Sequence, residues 1–113
     1  MLIQFSVENY LSIKDKVVLS LLASKDNEHP EHLIVNGNKN YLKSAVIYGA
    51  NASGKSNVLN AFWFMVNYVL TSHNQQLHKT IARSPFKFDP ETPARPSSFE
   101  VIFTTEGVRY AYG

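Results

Sequence analysis

The chain has 113 residues, 44% of them hydrophobic, a formal net charge of +2 and no cysteine, with a pI near 8.9. One small domain is the expected unit, able to bury about two thirds of its unfolded surface, and disulfides and thiolate metal sites are excluded. The basic residues are scattered, a weak argument for a nucleic-acid partner. The longest apolar stretch, residues 58–70, is interrupted by Asn60 and Asn67 and is too short for a bilayer, and no basic segment leads into an apolar one at the start. The reading is therefore cytoplasmic, with no membrane or export role.

In chain order, Leu2, Ile3, Phe5 and Val7 around Gln4 and Ser6 form a mostly alternating run, the pattern of a half-buried strand. Residues 9–12 read as a turn, and residues 14–22 hold a second apolar run over 17–22, so an antiparallel pair is expected. Residues 24–32 are polar and contain Pro30, a loop; residues 33–35 and 41–43 flank a Gly-containing hairpin loop at 36–40. Residues 44–48 read as a short buried strand. Val58, Leu59, Phe62, Met65, Val66, Val69 and Leu70 then recur at helical spacing. Beyond the helix, residues 73–98 carry Pro85, Pro90, Pro93 and Pro96, which exclude regular helix and favour an extended, loop-rich excursion. Phe86, Lys87 and Phe88 are a candidate edge strand within it. Residues 99–103 and 108–112 bracket a turn at 104–107, a hairpin signal.

Between the strand at 44–48 and the helix lies Gly49-Ala50-Asn51-Ala52-Ser53-Gly54-Lys55-Ser56, a complete G-x-x-x-x-G-K-[ST] loop, the Walker A form. A triphosphate must be gripped by backbone N–H groups without a Cβ in the way, which is what Gly49 and Gly54 permit. Lys55 sets an ammonium against the β and γ phosphates, Ser56 offers a hydroxyl to Mg²⁺, and the helix that starts there aims its positive end at the same anion. Asn51-Ala52-Ser53 is also a glycosylation sequon, but the phosphate loop uses the same residues and no export signal accompanies it.

The run from Ala45 to Leu59, with its GxNxxGKS loop, resembles the start of the bacterial AAA-type P-loop ATPases allied to the ABC and SMC proteins, among them RecF-like and overcoming-lysogenization-defect-like (OLD-like) ATPases. The opening Ile3-Gln4-Phe5-Ser6-Val7-Glu8-Asn9-Tyr10-Leu11-Ser12-Ile13 is similar to the entry segment of those proteins, and Phe86 to Phe88 and residues 98–112 to the strands after their first helix. The resemblance implies an α/β, P-loop NTPase fold of the ABC/SMC head type, with antiparallel strands plus a strand–P-loop–helix unit. A nucleotide-binding sheet needs several parallel strands joined by crossover helices, and one adequate helix is visible. Residues 1–113 are therefore expected to be the N-terminal lobe of a longer protein with an incomplete sheet. The implied ligands are ATP, held by Gly49, Ala50, Asn51, Ala52, Ser53, Gly54, Lys55, Ser56 and Asn57, and Mg²⁺ on Ser56. The implied assembly is a homodimer of heads, with roles in DNA repair or phage defence. Leu11 stands where many relatives have Arg or Lys, with Lys14 or Lys16 as substitutes. An acidic Walker B strand and a signature segment are not found, Thr104 following the apolar run where Asp is required; the chain by itself is expected not to turn ATP over. The alternative reading is a non-catalytic interaction module that retains an ancestral P-loop.

Other candidates are plainer. Gln75 and Gln76 lie in a polar stretch without the strand context of a Mg²⁺-contacting glutamine. His29, His32, His73 and His78 lack a completing carboxylate and cysteine set and read as solvated. Phe62 belongs with the core, whereas Trp63, Phe64 and Tyr68 read as packing against other elements of the full protein rather than stacking on bases. Lys79, Arg83, Lys87 and Arg95 read as a solvated basic loop, with nucleic-acid backbone as the alternative.

Overall fold

A computed structural model describes residues 1–25, 28–49, 54–74 and 80–113. Among these residues six strands and one α-helix follow in the order β1 (Leu2–Glu8), β2 (Val17–Ser20), β3 (Leu33–Asn36), β4 (Lys39–Leu42), α1 (Lys55–Thr71), β5 (Ser98–Thr105) and β6 (Val108–Tyr112). The first two strands pair antiparallel, with Phe5 opposite Leu19 and Val7 opposite Val17. The last two form the expected hairpin, with Phe103 opposite Tyr110, turning through Glu106 and Gly107, both at positive φ. The two hairpins join edge to edge through β1 and β5, giving a four-stranded antiparallel sheet of order β2-β1-β5-β6. The hairpin β3-β4 stands apart and is tied to the sheet where Leu22 bridges Tyr41 and Leu42 N–H donates to the Leu21 carbonyl at 2.7 Å.

The core lies between one face of this sheet and one stripe of α1. Directly opposed residues of neighbouring strands share a face, so the pairs Phe5/Val101 and Val7/Phe99 present one apolar patch. Phe5, Val7, Tyr10, Ile13, Ala61 and Met65 are its buried members, with Val58, Phe62, Phe64, Leu11, Phe99 and Val101 packed around them. Ala61 has no exposed surface; its small side chain lets the helix approach the sheet, and Phe62 closes edge-on against Phe5 with ring centroids 5.1 Å apart.

Four expectations need correction. Residues 44–48 form no strand, and Val46 and Tyr48 are 72% and 87% exposed. A strand exists only through ladder partners, and none of the described strands pairs with this run. Phe86 to Phe88 is likewise irregular rather than an edge strand. The buried helix stripe runs through residues 58, 61, 62 and 65, so Leu59, Val69 and Leu70 face outward; with apolar residues all round the helix, periodicity alone could not orient it. Phe64 is a core neighbour, stacked at 5.2 Å on Phe99 and 5.3 Å from Tyr10. Trp63 is 67% exposed. The Cα radius of gyration, 16.3 Å, exceeds the roughly 13 Å of a compact chain this long, in keeping with a slab one sheet and one helix deep. Among the described residues no helix is long and apolar enough to cross a membrane.

Candidate functional site

Helix α1 begins where Gly54, at its N-cap, takes φ 90°, a left-handed conformation that costs glycine little and other residues much. The Gly54 carbonyl receives the N–H groups of Asn57 and Val58 at 3.0 and 3.3 Å. Among the described residues no side chain caps the helix, and no acidic residue lies in its first turn to oppose an anion at its positive end. Lys55 folds back across the preceding loop, its Nζ donating to the Gly49 carbonyl at 2.5 Å. The two ends of the phosphate-loop sequence are thereby brought together. Ser56 is exposed beside it. Ala50, Asn51, Ala52 and Ser53 lie outside the described residues.

A second element reaches this helix start. Residues 9–13 form a tight turn after β1, with Asn9 and Leu11 at φ 53° and 52° and Tyr10 and Ile13 bonded to each other at 2.9 Å in both directions. At its tip the Ser12 Oγ accepts from Asn57 Nδ2 at 2.7 Å, while Asn60 donates to the other end of the Asn57 amide at 3.3 Å. A Cβ placed on Gly54 would lie 3.0 Å from the same Ser12 oxygen. The turn is stapled from behind to the Pro-rich excursion. Asn9, 1% exposed, donates through Nδ2 to the carbonyls of Thr92 at 2.7 Å and Arg95 at 2.9 Å, with Pro96 at 3.3 Å. Its Oδ1 accepts from Phe86 N–H at 3.0 Å, and its own carbonyl accepts from Ser97 Oγ. Leu11 N–H donates to Ser84 at 2.7 Å.

The remaining candidates disperse. Lys14 is engaged with Asp89 at 2.6 Å, so it is not a free substitute for the basic residue that Leu11 replaces; Leu11 itself packs on the core, and Lys16 is exposed. The ion pair raises the Lys14 pKa, and the Lys14 hydrogen bond, followed by the Glu91 N–H, holds the Asp89 carboxyl below its usual range. Arg83 is spent on the Pro93 carbonyl and Ser97 Oγ. His29 and His32 stack with centroids 5.3 Å apart, near Glu31, and His73 lies in the short 3-10 turn Ser72–Asn74 after α1. Among the described residues no group of three His, Asp or Glu side chains is arranged to hold a metal. Gln75, Gln76, His78 and Lys79 lie outside the described residues. A largely apolar cleft of about 660 Å³ opens between α1 and the β5-β6 hairpin, lined by Phe64, Met65, Tyr68, Ile81 and Tyr112 among others. Among the described residues none of its lining belongs to the loop at Gly49 to Ser56.

The fold is thus α/β, with antiparallel sheets and, among the described residues, one helix, at whose head Gly54, Lys55 and Ser56 meet the Gly49 carbonyl and the turn that carries Ser12. The family described as "AAA domain, putative AbiEii toxin, Type IV TA system" matches residues 44–113, more than half the chain. The protein belongs to this family of AAA-type, P-loop ATPase-like domains. Neither the curated proteins nor the solved structures provide a match. The matched segment starts after the turn that carries Ser12, a contact that no spacing in the sequence signals.

Proposed function

We propose that the chain binds Mg-ATP through Gly49, Ala50, Asn51, Ala52, Ser53, Gly54, Lys55 and Ser56, with Asn57 in support, as part of an ABC/SMC-like ATPase head. The observation that carries this reading is the Lys55 ammonium drawn across the loop onto the Gly49 carbonyl at 2.5 Å. In that position it stands in for the contact it would make to the β and γ phosphate oxygens. The donor set fits the ligand: an ammonium, an exposed hydroxyl at Ser56, a helix start without acidic side chains, and a glycine at φ 90° where any side chain would be strained. Magnesium would neutralise phosphate charge, with Ser56 as the ligand from this chain. Lys55 binds and orients the triphosphate, and the leading N–H groups of α1 bind its oxygens. Hydrolysis requires an acidic residue to orient water, which the reading assigns to a further part of a longer protein, along with head-to-head dimerisation in the cytoplasm and work in DNA repair or phage defence.

Calorimetric titration of Mg-ATP and Mg-GTP into the protein and a Lys55→Ala variant tests the proposal. Saturable ATP binding that the variant loses supports it. A folded wild-type sample that takes up neither nucleotide would falsify binding by this chain and favour the alternative, an interaction module. That alternative draws on the exposed outer stripe of α1, where Leu59, Trp63 and Leu70 are each more than 60% exposed.

A further inference from the structure

We propose that Ser12 is a positioning residue for the phosphate loop; the inference rests on the Mg-ATP reading of that loop and adds a residue from outside the loop and outside the matched family segment. Three observations converge on its hydroxyl oxygen. It accepts the 2.7 Å bond from Asn57 Nδ2, so it holds a side chain in the first turn of α1. It lies 3.0 Å from the position of a Cβ on Gly54, so it fills the space beside a residue whose left-handed backbone leads into the helix. It sits at the tip of a turn that is itself immobilised, through the Asn9 amide at 2.7 Å from Thr92 and 3.0 Å from Phe86 and through Leu11 at 2.7 Å from Ser84.

The leading N–H groups of a helix grip an anion only if their direction is fixed before it arrives, since ordering them on binding costs affinity. Asn57 is one helical residue beyond Ser56, so fixing its side chain fixes the turn that aims Ser56 and the N–H groups beside it. The Asn57 amide also accepts from Asn60 at 3.3 Å, which keeps its Nδ2 pointed at Ser12. Ser12 thus acts through Asn57 and Gly54 and makes no contact with nucleotide itself.

The test pairs two readouts on the whole chain: Mg-ATP affinity by calorimetry, and hydrogen exchange of the amides of residues 54–58 without nucleotide. Ser12→Ala, Asn57→Ala and the double variant are compared, with Ser12→Thr as the conservative control that keeps the acceptor. Ser12→Ala is expected to quicken exchange in the first turn of α1 and to weaken Mg-ATP binding about threefold to tenfold, the worth of one neutral hydrogen bond. The double variant is expected to be no weaker than either single one, because both remove the same bond, and Ser12→Thr to restore most of the affinity. Unchanged exchange in Ser12→Ala overturns the proposal whether or not nucleotide binds. Quickened exchange with unchanged affinity also overturns it, reducing Ser12 to a structural contact. If the wild type binds no nucleotide, the Mg-ATP reading fails separately, and the exchange experiment alone decides whether Ser12 holds the helix start.

Discussion

Removing the Asn9 amide should be among the most damaging single changes available to this fold. Its side chain makes two strong donations, at 2.7 and 2.9 Å, and one acceptance at 3.0 Å, with a third carbonyl at 3.3 Å. It is 1% exposed, so water does not readily replace it. At about 1 kcal/mol for each of the three good bonds, Asn9→Ala loses about 3 kcal/mol. Asn9 also sits at φ 53°, a region that asparagine tolerates and alanine does not, which adds about 1 kcal/mol. Asn9→Gly loses the same bonds without that backbone term, so the glycine variant should be the milder by about 1 kcal/mol. The assay is urea denaturation of both variants at constant slope, with hydrogen exchange of the Phe86 amide as a local reporter. An Asn9→Ala variant within about 1 kcal/mol of wild type, or an alanine variant more stable than the glycine one, would refute the accounting.

The Lys55→Ala titration and the Ser12 comparison described above are the two predictions on binding. A third concerns Gly54→Ala, which meets both a φ of 90° and Ser12 oxygen at 3.0 Å from its new carbon; it should cost about 1–2 kcal/mol from the backbone alone and at least tenfold in Mg-ATP affinity, read by melting and calorimetry, and wild-type affinity would contradict the geometry. Acid should loosen the tie between the first turn and the excursion. Because pairing with Lys14 and the Glu91 N–H lowers the folded Asp89 pKa, its stabilisation is present above the unfolded value of about 3.9 and is lost as pH falls through the folded one. Asp89→Asn should flatten the thermal stability profile between about pH 5 and pH 2, more visibly at low salt, and an unaltered slope would show that the pair at 2.6 Å contributes nothing to it.

How much the sequence carried differs from element to element. Both antiparallel pairs at the ends of the chain were legible because strand-like apolar runs on either side of a short break are local signals, the second break carrying Gly107; the helix was legible as a helix because its periodicity is local too, although its inward face was not. Lys55 and its glycines could be named as a candidate phosphate loop because phosphate binding needs those residue types at that spacing. What no local signal held was pairing across distance: β1 against β5, Asn9 against Phe86, Thr92 and Arg95, and Ser12 against Asn57. A serine or asparagine in a turn has the same appearance in sequence whether it meets water or a backbone group more than 75 residues away. The buried strand read at 44–48 failed for the complementary reason, since an apolar run becomes a strand only where partners exist to complete its ladder. By itself, then, the sequence determined the hairpins and the helix and named a candidate loop at Gly49 to Ser56. Only the tertiary structure decided which helix face is buried and which distant turn meets the start of that helix, because those depend on contacts whose energy exists only once the chain has closed on itself.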